Sequence, residues 1–404
     1  MILAFELTWT GVTHAPGNSA TLQTVALAFP DQRIRVFADA PHINELTRDT
    51  SLTELANVSF HPVRSFPDYR GQTHIVSPRR FLYEAKIVAH AVKGVDRREP
   101  CLILLLSSTP TAIFATSWLT RLFKQRNLGV QIGLHGNAND INGWRSRNPL
   151  LRRFDLMAAL SAHHPTRVRF MVLEQAIRNE LERQVPALTS RVDVLPLPVN
   201  ANEFTATSPP PLTEPIKIGF VGVATKAKGI DIYLRIAADL KRKYGTRIEF
   251  HHIGRVLPDT DLAPFRHLAH PVSAEQLPRD EFVRRISELH YFAFPYREGY
   301  YNLSASGALI DAITWQRPLI ATALPFVRQI FEEFGDVGYL CADEAAMRAA
   351  IESVMTVDPS RYERQSRALA RARKARTPAV LAGTFRAIVS SCYPNLFDEP
   401  SMKS

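Results

Sequence analysis

Short apolar runs recur along the chain at intervals of about one helix length. ILAFEL (2–7), IRVFA (34–38), VSFHPV (58–63), CLILLL (101–106), VQIGLH (130–135), FMVL (170–173) and VDVLPL (192–197) read as strands. Helix-length segments lie between several of them, among them 79–93 and 111–126. Alternation of this kind predicts parallel sheet with crossover helices. At 206–215 the pattern stops, because ATSPPPLTEP has four prolines and no apolar period, and it reads as a linker. The alternation then restarts. Strands are expected at 216–222, 248–254, 291–295 and 318–322, with helices at 230–243, 279–288, 305–315 and 325–334. From about 343 onward the chain is helical in pattern and rich in Ala and Arg. Two doubly wound α/β domains follow from this order, 1–205 and 216–375, with a helical tail over 376–404. Ligands of such sheets bind beyond the carboxyl ends of the strands, so the loops after strands are where chemistry belongs.

Composition narrows the picture. With 404 residues, 46% of them hydrophobic, each domain can bury a core. The net charge of +10 favours anionic partners, and the excess reads as spread along the chain rather than gathered in a tail. No aromatic-basic RNA signature is present, so nucleic acid is not the expected partner. Cys101, Cys341 and Cys392 are far apart, which fits a reducing compartment and neither a disulfide framework nor a zinc site. The start, MILAFEL, is too short for a signal-peptide core, and LILLL (102–106) is far short of the roughly 20 residues that span a bilayer. A soluble cytoplasmic protein is expected, with peripheral contact at the inner face of a membrane left open. RYERQSRALARARKAR (361–376) is the best basic segment for such a contact, and it reads equally as a solvated helix that packs on the first domain.

Four stretches carry candidate chemistry. GFVGVATKAKG (219–229) puts Lys226 and Lys228 in a glycine-flanked loop after a strand, a reasonable pyrophosphate contact as well as an ordinary solvated turn. YREGYYNLSASGALIDA (296–312) leads from Glu298 through Ser304 and Ser306 into a helix start, where unpaired amides and the dipole favour an anion. Gly307 lets a ligand approach the backbone. Asp311 lies one turn further along the same face, about 5.4 Å away, which is the reach from a phosphate to its ribose. VQIGLHGNANDINGW (130–144) places His135 at a strand end. DTD (259–261) is a weak divalent-metal pattern without further ligands, and no metal is expected.

Taken together these stretches resemble the GT-B-fold glycosyltransferases, most nearly retaining family four. The likeness runs through 168–204, IGFVGVATKAKGID (218–231), HIG (252–254), FPYREGYYNLSASGALIDAITWQRPLIAT (294–322) and LHG (134–136), five matches in the family's order. The resemblance implies two Rossmann-like domains facing a cleft, with the C-terminal helix returning to the first domain. It implies roles as well. Lys228 matches the lysine on the donor diphosphate, Glu298 the first of two paired glutamates near the donor sugar, Asp311 the second, which binds ribose, and His135 the histidine beside the transferred sugar. Val223 stands where the family has an arginine, and Lys226, Arg255 or Arg297 are candidates to replace it. The loop TWTGVTHAPGNS (8–19) stands at the family's glycine-rich acceptor loop, so Gly11, Gly17 and Asn18, with Asn137, are expected on the acceptor side. Glu298 and Asp311 are further apart than the family's pair, and an Asp replaces the second Glu.

The expectation is a metal-independent retaining transferase. It needs no cofactor beyond a nucleotide-diphosphate sugar as co-substrate, and it acts on a glycan, lipid-linked saccharide or small-molecule acceptor. Diphosphate charge would be held by Lys228 and by the backbone at Ser306 and Gly307. A nucleotide-sugar epimerase on the same scaffold and a non-catalytic sugar-nucleotide-binding protein are the alternatives.

Overall fold

Every apolar run of the first half becomes a strand of one parallel sheet in the computed structural model. The structure describes residues 1–64, 66, 76–124, 126–136, 138–143, 148–200, 208–275, 277–299 and 301–397. Asn137, Tyr300 and the first two residues of the expected linker lie outside them. The chain forms two units. The first is Met1–Asn202 with Leu303–Ala305 and Arg376–Ser404; the second is Glu203–Asn302 with Ser306–Ala375.

The first unit holds β1 (Ile2–Phe5), β2 (Ile34–Ala38), β3 (Val58–Pro62), β4 (Cys101–Leu105), β5 (Leu128–Gly133), β6 (Val168–Val172) and β7 (Val192–Val194). Their order is β3-β2-β1-β4-β5-β6-β7, parallel throughout. Side chains alternate between the faces. Leu3 and Phe5 join Ile103 and Leu105 in one core, while Ile2 and Ala4 join Leu102 and Leu104 in the other. Two buried faces demand apolar residues at every position, which is why CLILL reads as an unbroken run. Helices Pro78–Lys93 and Pro110–Leu122 supply the first core, and helices Ala15–Ala28 and Pro378–Cys392 the second. Ala15–Ala28 has no apolar stripe in the sequence, because the residues it buries include Asn18, Ser19, Gln23 and Thr24. Two of them are satisfied by one carboxylate: Asp49 accepts from Ser19 Oγ at 2.5 Å and Gln23 Nε2 at 2.8 Å. The C-terminal segment is locked to this unit by a buried pair, Arg376 to Glu174, through two bonds of 2.7 and 3.0 Å.

The second unit holds β8 (Ile216–Val221), β9 (Ile248–Ile253), β10 (Tyr291–Phe294), β11 (Leu319–Thr322) and β12 (Gly338–Cys341), in the parallel order β12-β11-β10-β8-β9. β12 is a short edge strand with a half-exposed middle, too weak a pattern to be expected from the sequence. Helix Pro359–Ala375 contains nearly all of the basic segment read either as a membrane contact or as a solvated helix on the first domain. It packs on the second unit, and three of its arginines are bonded into that unit. Arg361 lies over the Tyr339 ring at 4.6 Å, and Arg371 and Arg373 donate to the carbonyls of Phe334 and Thr314. Among the described residues no helix is long and apolar enough to cross a membrane.

Candidate active site

In the second unit the chain leaves β8 for β9 on one side and returns to β10 on the other. The switch point of this sheet therefore lies between β8 and β10, where a ligand is expected beyond the carboxyl ends. The loop after β8 carries Lys226 and Lys228, and the loop after β10 carries Arg297 and Glu298. Glycines bring the two loops together. Gly229 has φ +74°, and a Cβ there would meet Pro295 O at 1.8 Å. Arg297 completes the joint: its amide donates to Ala227 O, its Nε to Lys226 O at 2.9 Å and its guanidinium to Asp231 at 2.7 Å. The structure therefore makes Arg297 a clamp within the protein, its charge paired with Asp231.

Lys228 is placed differently. Its Nζ lies 3.3 Å from the position a Cβ would take on Gly222, so glycine leaves room for the ammonium. Burial lowers its pKa, and among the described residues no carboxylate pairs with it. Beside it His252 donates through Nε2 to Gly222 O at 3.0 Å, and its Nδ1 is buried without a partner. Burial chiefly, with a contribution from the Lys228 charge, holds His252 below its usual pKa despite that hydrogen bond. A desolvated cation without a counter-ion is costly alone and is relieved by a bound anion. Lys226 and Arg255 are exposed.

Helix Gly307–Thr314 starts at the same edge of the sheet. Ser306 is its N-cap, accepting from Leu309 N and hydrogen-bonding Tyr296 Oη at 2.7 Å. Ser306 is 2% exposed, and its hydroxyl serves as the cap that the sequence offered, which leaves only its backbone as a candidate for an anion. Gly307 is exposed, and a Cβ on it would meet nothing within 4 Å. One turn on, burial pushes the Asp311 carboxyl up to about 6, with Arg279 pulling weakly the other way. No hydrogen bond to that carboxylate is present among the described residues. Glu298 is exposed next to Gly299, which has φ +85°. The second unit thus presents an unmatched cation and an unmatched, desolvated carboxylate at one sheet edge.

The first unit carries the other set. Its switch point is between β1 and β4. After β1, Glu6 is fully buried, with Oε1 accepting from the amides of Thr8 and Trp9 and from Ser107 Oγ, and Oε2 accepting from Asn18. Asn18 also bonds His42, whose Nδ1 donates to Gly11 O at 2.8 Å. Asn18 is therefore a buried strut of the loop and not a surface contact. Gly11 takes the left-handed conformation, and Gly17 lies in the first turn of its helix. His135 follows β5 and pairs through Nε2 with His14 Nδ1 at 2.5 Å. His14 stacks on Trp9 with centroids 4.5 Å apart. Gly136, at φ +80°, lets both rings close in, since a Cβ would meet Trp9 at 3.1 Å and His14 at 3.3 Å. Burial lowers His135 to about 4 and His14 well below its usual value, so at neutral pH one neutral ring donates to the other. Sequence reasoning misses His14, Trp9 and Glu6 as site residues. Their only signal is a Thr/His-rich loop after a strand. Among the described residues no three His, Cys, Asp or Glu side chains converge as a metal-binding group.

No protein-family model and no curated protein matches the chain. Solved structures do. A glycosyltransferase from Rickettsia africae ESF-5 aligns over 98% of both chains, with TM-score 0.64 and 12% identity. A mutant of TarM from S. aureus, in complex with fondaparinux, alpha-GlcNAc-glycerol and UDP, aligns over 98% of this chain and 99% of its own, with TM-score 0.62 and 11% identity. WaaG, a glycosyltransferase involved in lipopolysaccharide biosynthesis, aligns over 96% of this chain and 100% of its own, with TM-score 0.58 and 11% identity. At such identities the likeness establishes the architecture, and the chain has the GT-B fold of these glycosyltransferases.

Proposed function

We propose that the protein is a retaining, metal-independent glycosyltransferase that uses a nucleoside-diphosphate sugar in the cytoplasm. The observation that carries this reading is Lys228, a half-buried ammonium without a carboxylate partner among the described residues, in the loop at the switch point of the second sheet. At the carboxyl end of the same sheet the exposed Gly307 opens a helix that carries Asp311. In this reading the diphosphate sits against Lys228 and the Gly307 backbone, and Asp311 accepts from the ribose hydroxyls. The C1–O bond to phosphate breaks as the acceptor oxygen attacks C1 from the same face. The acceptor proton passes to the departing phosphate oxygen. Lys228 and the helix start stabilise the charge that develops there. Neutral His135, held by His14, donates to or accepts from the transferred sugar, and Glu298 stands on the sugar side of the diphosphate. The acceptor, a glycan or lipid-linked saccharide, is taken by the loops of the first unit around Gly11 and His135. The TarM complex, which holds UDP and a sugar-glycerol, supports this ligand class.

Lys228→Ala tests the reading. Nucleoside diphosphates should raise the melting temperature of the wild type by mass action and not that of the variant. Transfer should fall by roughly 10²-fold, the scale seen when one charge-stabilising donor is lost. Wild-type turnover in Lys228→Ala would remove the phosphate assignment. Isomerised sugar nucleotide without any acceptor product would favour an epimerase.

A further inference from the structure

His14 stands at a helix start without capping it. It is the N-cap of helix Ala15–Ala28, where a side chain ordinarily bonds the first turn, and it makes no such bond. Its backbone lies at φ 61° and ψ 3°, a left-handed conformation that costs energy for any residue with a Cβ. Both departures accompany one contact. The His14 ring meets His135 edge-on, with centroids 4.4 Å apart at 81° and with Nδ1 of His14 2.5 Å from Nε2 of His135.

The loop beneath is built to hold this ring. Buried Glu6 fixes the amides of Thr8 and Trp9, and through Asn18 and His42 the same chain of bonds reaches the Gly11 carbonyl. Trp9, so anchored, stacks on His14 at 24° between planes. A residue held in a strained conformation by this much surrounding structure is a sign of function.

The pairing decides which nitrogen of His135 is left for a ligand. Burial keeps both rings well below the usual histidine range, so at neutral pH each carries one proton. Across the bond one nitrogen donates and the other accepts. If His14 donates, both rings carry their proton on Nδ1. If His135 donates, both carry it on Nε2. A neutral histidine side chain favours the Nε2 proton, so the second arrangement puts both rings in the preferred tautomer and the first puts neither there. Nothing opposes that choice, since among the described residues neither His135 Nδ1 nor His14 Nε2 has a hydrogen-bond partner.

We propose that His14 is a positioning residue: it accepts the Nε2 proton of His135 and so presents Nδ1 of His135 to the transferred sugar as a hydrogen-bond acceptor. The sugar must then bring a free hydroxyl to that nitrogen, and an ether or a fluorine in its place is rejected. The assignment of the ligand rests on the reading that the transferred sugar lies at His135, whereas the assignment of the tautomer does not.

Nitrogen NMR of the full chain labelled with 15N-histidine tests both. In the wild type without ligand, His135 should show Nε2 at the shift of an N–H and Nδ1 at that of a bare nitrogen. His14→Phe keeps a ring against Trp9 but offers no acceptor, and the His135 shifts should become averages of two tautomers. In His14→Asn the side-chain oxygen takes the place of Nδ1, accepts only, and suits the left-handed backbone, so the single tautomer should return. Where transfer is measured, kcat should fall by roughly 10²-fold in His14→Phe, with nucleotide affinity unchanged, and recover in His14→Asn. UDP-glucose, UDP-N-acetylglucosamine and GDP-mannose serve as probes, with UDP and GDP as controls that lack the sugar. At least one sugar nucleotide should move His135 Nδ1 where its control does not. A wild-type His135 with its proton on Nδ1, or with averaged shifts, would overturn the proposal even if neither variant folds. So would a single tautomer persisting in His14→Phe. Sugar nucleotides that bind and leave Nδ1 unmoved would overturn the acceptor role. If no nucleotide binds, the transferase reading falls, and the shifts of the free protein still decide the tautomer.

Discussion

Asp311 shows what burial does to a single carboxylate. Its carboxyl is raised from 3.8 to about 6 by burial. An acid whose folded pKa exceeds its unfolded pKa binds more protons in the fold, so stability falls as pH rises from about 3.8 through about 6 and stays reduced above. The cost at neutral pH is of order 3 kcal/mol at most, taking about 1.4 kcal/mol per pKa unit. Asp311→Asn should therefore melt higher than the wild type at pH 7. The gap should close as pH falls towards 4, while affinity for a nucleoside diphosphate drops. Calorimetry across pH checks the first part and titration calorimetry the second; a gap independent of pH would mean Asp311 is already matched. His135 behaves in the opposite sense. It is depressed to about 4, so its contribution is present above 6.5 and lost as pH falls towards 4. Lys228, His135 and Asp311 were legible from residue type and position after strands. Whether each was matched was not, because a partner comes from elsewhere in the fold: Arg297 looks as free as Lys228 in the sequence, and only the fold shows Asp231 holding it.

At the scale of elements, two glycines beside the same site make opposite predictions. Gly229 is at positive φ, with Pro295 O only 1.8 Å from where a Cβ would sit, so Gly229→Ala must push the two loops apart. It should lower the melting temperature and transfer together. Gly307 has open space around its Cβ position and is the first residue of its helix. Gly307→Ala should leave stability unchanged or slightly raised, since Ala is the better helix former by up to about 1 kcal/mol. Nucleotide affinity should fall if the methyl meets a phosphate. Melting curves and ligand titrations on the two variants separate a glycine needed for the fold from one needed for the ligand. The strands were readable because both faces are buried and every residue is apolar. Helix Ala15–Ala28 was not, because its buried positions are filled by polar residues whose partners, Asp49 and Glu6, lie far along the chain or in another element.

For the whole molecule, the decisive contacts join residues far apart in sequence. Glu174 and Arg376 are each 4% exposed and 202 residues apart, and they bring the C-terminal segment back to the first unit. Glu174→Ala leaves a buried guanidinium without a counter-charge and should cost about 3–5 kcal/mol. Replacing both partners by apolar residues should recover much of that loss. Denaturant melts of the single and double variants check this, and a neutral single variant would show that water reaches the pair. The triplet Leu303–Ala305 makes the same point. Leu303 is buried in the first unit's core, and Asn139 accepts from its amide and donates to Ser304 Oγ at 2.9 Å. Its neighbours Asn302 and Ser306 belong to the second unit.

Sequence alone determined the alternation of strands and helices, the break near the linker, the GT-B resemblance and the loops proposed to hold phosphate. These are local properties: apolar period, turn composition and the residue types that follow a strand. Tertiary structure alone decided which charges are matched. It set Lys228 without a counter-ion, tied Arg297 to Asp231, closed His14 on His135 and turned Asn18 inward. The physical reason is that Coulomb energy, desolvation and exposure depend on distances through the fold, which spacing along the chain does not contain.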